Sequence, residues 1–84
     1  MSAKSYLKAI SYIEKGDWDA SHQLIQRYNS GTACWIHAHL HRVEGDLWNA
    51  KYWYERAGKN LPKYTLEEER NQIKSYIITK QKGL

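Results

Sequence analysis

Apolar residues recur along this chain at the three- and four-residue spacing of amphipathic helices. In the first segment, for example, Tyr6, Ile10 and Ile13 fall on one face of a helix. Glycine, asparagine, serine or proline interrupts the pattern between segments, as expected of turns. The pattern predicts an all-α protein of about five helices. The predicted helices cover about 3–15, 18–28, 32–44, 47–57 and 65–82, with Asp17, Thr32 and Thr65 as candidate N-caps.

The pattern also predicts which residues of the fourth and fifth helices are buried. The stripe of the fourth helix comprises Leu47, Ala50, Tyr54 and Ala57, and that of the fifth comprises Leu66, Ile73, Tyr76 and Ile77.

The chain repeats itself. A shift of 29 residues superimposes Gly16-Asp17 on Gly45-Asp46 and places Tyr6 on Trp35. Each unit consists of a helix, a Gly-Asp turn and a second helix. A repeat of this length predicts a helical solenoid, in which one hairpin stacks on the next.

The residues at the repeated turn resemble a known family. The stretch Gly45-Asp46-Leu47-Trp48-Asn49-Ala50, followed by Tyr54, Ala57 and Pro62, resembles the second half of a tetratricopeptide (TPR) motif. The stretch Gly16-Asp17-Trp18-Asp19-Ala20-Ser21 resembles the same segment one unit earlier. The resemblance implies a single domain over 1–84, with TPR-like hairpins at about 3–28 and 32–58 and a closing helix at about 65–82.

A longer pattern is similar to a group of small, mainly bacterial proteins. It runs from Trp35-Ile36-His37-Ala38 through His41-Arg42 and Gly45-Asp46 to Tyr52-Trp53-Tyr54. The resemblance implies a bacterial origin and no particular activity.

Composition narrows the cellular context. Apolar residues make up 42% of the chain, which is typical of a globular protein. The lone cysteine, Cys34, cannot form an internal disulfide, which favours a reducing compartment. No signal peptide and no membrane-spanning apolar run is apparent. We therefore expect a cytoplasmic protein that does not contact a membrane.

The net charge of +4 raises the question of nucleic acid. In the last helix, however, Glu67, Glu68 and Glu69 come first and the lysines Lys74, Lys80 and Lys82 come later, an order that complements the helix dipole. No block of consecutive basic residues occurs, so nucleic acid is an unfavoured partner.

The third helix carries a stripe of possible metal ligands. Cys34, His37, His41 and Glu44 share one face, and His22 could join them. This stripe indicates a metal or general-base site. The alternative is structural, with the histidines facing the fourth helix and bonded to backbone carbonyls, Asn49 or Tyr52. The sequence contains no catalytic motif, and we expect no cofactor and no catalytic residue.

Aromatic residues favour a protein contact instead. Trp48, Tyr52, Trp53 and Tyr54 spread too widely around one helix to enter one core, so some face a partner or pack under the fifth helix. In TPR-like stacks the first helix of each hairpin lines a groove, and Arg42 could bind a peptide carboxylate there. Two alternatives stay open. The fifth helix could occupy the groove, or Arg42 could pair with an acidic residue at the surface.

The sequence therefore predicts a non-catalytic module that binds a protein or peptide, or a second copy of itself. The alternative is a small metal-binding or enzymatic protein that uses His37, His41 and Glu44. The predicted partner-binding residues are Tyr6, Trp35, His39, Arg42, Trp48 and Trp53.

Overall fold

The computed structural model describes residues 2–82 of the chain. Within these residues the regular structure is entirely helical, which confirms the all-α prediction. No described helix combines the length and the apolarity that crossing a membrane requires. The helices are α1 (Ser2–Glu14), α2 (Trp18–Ile25), α3 (Gly31–Val43), α4 (Leu47–Arg56) and α5 (Leu66–Lys82).

Both predicted hairpins turn at a left-handed glycine. Gly16 ends α1 with φ +82°, and Gly45 follows α3 with φ +85°, a region that strains any residue with a β-carbon. The amide of Gly16 donates to the carbonyl of Ile13 (3.0 Å), and the amide of Asp17 donates to that of Tyr12 (2.8 Å). These two bonds satisfy carbonyls that the helix leaves free at its end.

The aspartate after each glycine starts the next helix. The Asp17 carboxylate accepts from the amide of Ala20, and the Asp46 carboxylate accepts from the amide of Asn49, each at 3.2 Å. Aspartate at an N-cap satisfies one of the free amides of the first turn. The two units therefore turn by the same local chemistry.

Helix α3 lies at the centre of the molecule. Residues 33 to 41 of this helix are all buried, because α1, α2, α4 and α5 all contact it. The buried apolar residues that surround it come from every helix: Tyr6, Ala9, Ile10, Ile25, Ile36, Leu40, Ala50, Tyr54, Ile73 and Ile77. Three histidines lie within the buried run and enter the interior with it.

Helix α5 packs against α1 and α3, the first helices of the two hairpins. It therefore occupies the groove that these helices would otherwise line, one of the two arrangements left open by the sequence. Ile73 and Ile77 enter the core, while Lys74 bonds Glu14 of α1 at the surface (2.9 Å). At its start the hydroxyl of Thr65 accepts from the amide of Glu68, so the predicted cap is present.

Two predicted helix boundaries are wrong. Helix α2 ends at Ile25 rather than near Tyr28. The N-cap of α3 is Ser30 rather than Thr32, because the extended backbone of Ser30 lets its hydroxyl accept from the amide of Ala33 at 3.1 Å.

Two predicted buried residues lie at the surface. Leu47 is 53% exposed and Tyr76 is 43% exposed. Leu47 opens α4 directly after its cap, where the helix has not yet turned its side chain onto α3. Tyr76 lies at the margin of the α5 stripe, and its ring contacts Trp35 edge-on.

Candidate functional site

Three histidines from two helices converge where α2 meets α3. His22 extends from α2, and His37 and His41 extend from one face of α3. Nε2 of His22 lies 3.1 Å from Nε2 of His37, and one ring nitrogen from each of the three lies within 4.8 Å of the others. We term these three residues the histidine cluster. The sequence places His37 and His41 together and allows His22 to join them, and the fold brings His22 to this position.

Two tryptophans hold the rings of the histidine cluster. The Trp18 indole stacks on His22, with ring centroids 4.8 Å apart, and the Trp53 indole stacks on His37 at 3.8 Å; both pairs are within 10° of parallel. Nε1 of Trp18 donates to the carbonyl of Leu40 at 2.7 Å, which fixes this indole against α3. Packing and hydrogen bonding therefore set the orientation of two of the three imidazoles.

The third imidazole is oriented by a carboxylate. Nδ1 of His41 lies 2.6 Å from Oε2 of Glu44, one helical turn further along. The Nδ1–H of His41 donates to this carboxylate, so Nε2 is the ring nitrogen that remains for another partner. The oxygens of Glu44 and Asp46 both lie within 4.8 Å of a His41 nitrogen. Hydrogen bonds from the side chain and backbone of Asn49 lower the pKa of Asp46, which favours the ionised form of this carboxylate.

Burial in this environment favours the neutral forms of His22 and His37. Burial, followed by repulsion from His22, His41 and Arg56, lowers the pKa of His37 to about 4. Burial, together with the neighbouring His41, also lowers the pKa of His22. A neutral imidazole offers a lone pair, which is what a general base or a metal ligand requires.

Three residues that were expected to contact the histidines of α3 contact other groups instead. Cys34 is buried, and its sulfur lies 3.9 Å from the carbonyl of Asn29, outside the cluster. Asn49 donates to Asp46 (2.7 Å) and Tyr52 accepts from Arg56 (3.1 Å), so the expected bonds from these two residues to the histidines are not formed.

A second polar cluster is wholly buried around Glu69 of α5, whose side chain has no exposed surface. Its Oε2 accepts from Nε1 of Trp35 (3.0 Å) and from the hydroxyl of Tyr54 (2.5 Å). Its Oε1 accepts from Nδ1 of His39 (2.6 Å) and from Nη1 of Arg42 (3.0 Å). One carboxylate thus joins side chains from α3, α4 and α5.

Glu69 is ionised in this environment. Burial alone raises its pKa, but hydrogen bonds from His39 and Tyr54 outweigh that effect, and the net pKa is lowered. Arg42 also donates to the backbone carbonyl of Tyr64, which ties the loop before α5 to α3.

Most predicted partner-binding residues are engaged inside the chain. Trp35, His39 and Arg42 all bond Glu69, and the carboxylate that Arg42 holds is therefore one of the chain's own. The sequence placed a pairing acid for Arg42 at the surface, whereas Glu69 is buried. Tyr6 is 7% exposed and bonds the hydroxyl of Ser30. A partner site at Trp35 and His39 would need α5 to leave the groove.

The other two predicted residues lie on α4 and differ in exposure. Trp48 is 80% exposed, whereas Trp53 is half-buried beneath its stack with His37. Trp48 is thus the predicted contact residue that the fold leaves most accessible.

The sequence pattern did not predict the roles of two residues that shape these clusters. Glu69 was interpreted as a dipole partner in the first turn of α5. Its spacing of four residues from Ile73 and eight from Ile77 places it on the buried stripe and could have identified it. Trp18 gave no such signal, because its role depends on the position of α3.

Comparison of the chain with protein-family models, curated proteins and solved structures finds no match. The fold and these clusters define an all-α protein with a histidine–tryptophan site next to a helix that displays tryptophan. Any proposal about function must therefore be based on the residues of this chain.

Proposed function

We propose that this protein is a non-catalytic, TPR-like module that associates with a second copy of itself through the exposed side of α4. The observation that carries the proposal is Trp48, whose side chain is 80% exposed although tryptophan is the largest side chain. Tryptophan and tyrosine are enriched where interfaces gain most of their binding energy.

Trp48 belongs to a continuous surface. Leu47 and Tyr52 beside it are 53% and 47% exposed, and Lys51 and Glu55 line the same shallow depression. We term these five residues the α4 face. An exposed apolar patch rimmed by charges is typical of a protein contact.

Part of the α4 face is already ordered. Arg56 donates to the hydroxyl of Tyr52 at 3.1 Å, and the Tyr52 ring meets the Trp53 ring edge-on at 5.2 Å. A side chain that is fixed before binding loses less conformational entropy in the complex. Tyr52 therefore offers contact area at low cost.

The charges of the α4 face favour a second copy over an unrelated partner. Lys51 lies toward the N-terminal half of α4, and Glu55 lies toward its C-terminal end. An antiparallel pairing around a two-fold axis places the lysine half of one copy against the glutamate half of the other. The face is thus complementary to itself, while a parallel pairing would oppose like charges.

The size of the face predicts a weak dimer. Helix α4 has 10 residues and is about 15 Å long. Small interfaces are typical of transient association. The dimer should therefore populate only toward the upper end of a concentration series.

The TPR-like relationship is supported by the matching Schellman endings and aspartate caps at Gly16 and Gly45. We also propose a bacterial, cytoplasmic setting. Free, buried Cys34 and the resemblance of the central segment support it.

Replacing Trp48 tests the proposal. Sedimentation velocity over a concentration series should show a monomer–dimer equilibrium for the native chain. We expect Trp48→Ala to weaken the dimer at least about tenfold, because the largest contact of the interface is lost from both copies. Ile78→Ala is the matched control, since Ile78 is an exposed apolar residue (41%) on α5. A native chain that stays monomeric throughout, or equal effects of the two variants, contradicts the proposal.

A charge exchange tests the antiparallel arrangement. Lys51→Glu alone should weaken the dimer, because it places acids opposite one another. Adding Glu55→Lys should restore it, since the exchanged pair is again complementary. A double variant as weak as the single one would contradict the antiparallel arrangement.

A further inference from the structure

We propose that the histidine cluster binds one divalent transition-metal cation of the zinc class through His22, His37 and His41. This site lies apart from the α4 face and does not depend on self-association. The proposal rests on the convergence of three imidazoles, on the group that orients one of them and on the charges nearby.

The spacing of the nitrogens suits one small ion. Zinc–nitrogen bonds of about 2.0–2.1 Å place two nitrogens of a tetrahedral site about 3.3 Å apart. The Nε2 atoms of His22 and His37 already lie 3.1 Å apart. The widest separation in the cluster, at most 4.8 Å, must close by no more than about 1.5 Å. Because His22 and His37 are already this close, the remaining movement involves the His41 ring.

The hydrogen bonding of the cluster is compatible with binding. His22 and His37 face each other through their Nε2 atoms, so without an ion one ring must donate and the other accept. An ion that binds both lone pairs replaces this bond when each ring carries its proton on Nδ1. The Nδ1 of His41 already carries a proton, because it donates to Glu44.

The His41–Glu44 pair has the arrangement common around protein metal ions. A metal-binding histidine usually donates its other N–H to a carboxylate, which fixes the ring and strengthens the ligand. Here that contact is 2.6 Å. The contact therefore fixes the orientation in which His41 would meet an ion.

The surrounding charges also suit a cation. Three neutral imidazoles leave the full double charge on the ion, and the carboxylates of Glu44 and Asp46 next to His41 offset it. Arg56, which lies over the Trp53 ring at 5.0 Å, is the opposing positive charge. Two acids against one base leave the local balance negative, which attracts the ion.

The ligand set defines what kind of site this is. Three protein nitrogens leave the fourth tetrahedral position to water, as in zinc sites with an open position. The stacked indoles of Trp18 and Trp53 restrict the two rings they cover. Because these indoles touch the ligands, a paramagnetic ion such as cobalt(II) should quench part of the tryptophan fluorescence.

Titration with cobalt(II) and zinc(II) tests the site. Untagged, chelator-treated protein receives cobalt(II) while visible absorption and tryptophan fluorescence are recorded, and zinc(II) is then added in competition. We expect saturation at one equivalent, visible absorption typical of tetrahedral cobalt, and release of cobalt by zinc.

His22→Gln is the decisive variant, because His22 is partly exposed and its loss leaves the buried core intact. We expect it to abolish saturable binding. Gln23→Ala is the matched control on the exposed side of the same helix and should bind as the native chain does. Glu44→Gln should bind about 10–100-fold more weakly, since it removes only the group that orients His41.

The metal titrations test the histidine cluster independently of the sedimentation experiments that test the α4 face. Binding that is absent in the native chain, or equal in His22→Gln and the control, overturns the metal site and leaves the cluster a packing feature. Trp48→Ala should bind cobalt normally, and His22→Gln should dimerise normally, so either proposal can fail alone.

Discussion

Glu69 shows how one residue can join several helices. Burying a carboxylate is costly unless donors replace the lost water. Here four donors from α3 and α4 point at its two oxygens, one of them the Arg42 guanidinium. Removing the carboxylate would leave these four donors without their acceptor, so Glu69 should contribute strongly to the position of α5.

The variant Glu69→Gln should be severely destabilising. The amide has nearly the same shape, but it brings one acceptor oxygen and a donor nitrogen to a place where four donors converge. We expect a loss of about 3 kcal/mol in the free energy of unfolding, measured by urea denaturation at pH 7. Glu67→Gln, an exposed neighbour on the same turn, should change it by less than about 0.5 kcal/mol.

The pH dependence of that difference identifies its origin. The folded pKa of Glu69 is below its ordinary 4.5, so the stabilisation is present above about that pH and is lost as pH falls through the folded pKa. His39, Arg42, Tyr54 and Tyr64 face this carboxylate and stay in both variants.

The lowered pKa of His37 also reduces the free energy of unfolding as the pH falls from 6.5 to about 4. This loss is the same in the native chain and in Glu69→Gln, so it does not change the difference between them. The gap between native chain and Glu69→Gln should therefore narrow below pH 4.5. If the difference in unfolding free energy stays constant with pH, the shape of the Glu69 side chain, rather than its charge, accounts for the stabilisation.

At the scale of elements, α3 carries both polar clusters. His37 and His41 lie four residues apart on one side, and Trp35, His39 and Arg42 follow their own helical stripe on another. The first stripe faces α2 and α4, and the second faces α5. Neighbouring helices supply partners for most of these polar groups, although among the described residues Nε2 of His39 is buried without a hydrogen-bond partner.

Local rules in the sequence predict some of these elements well and others poorly. The turns at Gly16 and Gly45 follow from chemistry within a few residues, and the sequence locates them. Ser30 and Thr32 can both cap a helix, and the choice of Ser30 coincides with a contact from Tyr6, 24 residues away. Glu69 depends on donors up to 34 residues away, which no local pattern specifies.

Substitution of a turn glycine measures how much the local turn conformation contributes to the free energy of unfolding. Gly45→Ala should destabilise the fold by about 1–2 kcal/mol, because φ is +85° and an alanine β-carbon is strained there. No neighbouring atom would clash, so the cost is conformational alone. Gly31→Ala, inside α3 and also free of neighbours, should instead be neutral or stabilising in the same urea experiment. Equal effects at the two positions would contradict the turn assignment.

At the scale of the whole molecule, the shared position of α3 should make unfolding cooperative. In a simple solenoid each hairpin contacts only its neighbour, and stability is nearly a sum of repeats. Here α3 contacts all four other helices, and α5 contacts both hairpins. No helix can leave without exposing part of the same core.

Ile73→Ala tests this cooperativity because Ile73 of α5 is fully buried. We expect a loss of about 2–5 kcal/mol, since the cavity lies where α5 meets the shared core. Far-UV circular dichroism and tryptophan fluorescence should give the same transition midpoint, and the variant should shift both equally. Ile78→Ala, at an exposed position on the same helix, should shift neither. An early separate loss of helicity in Ile73→Ala would instead show that α5 detaches from a hairpin pair that is stable by itself, and such detachment would open the groove at Trp35 and His39 to a partner.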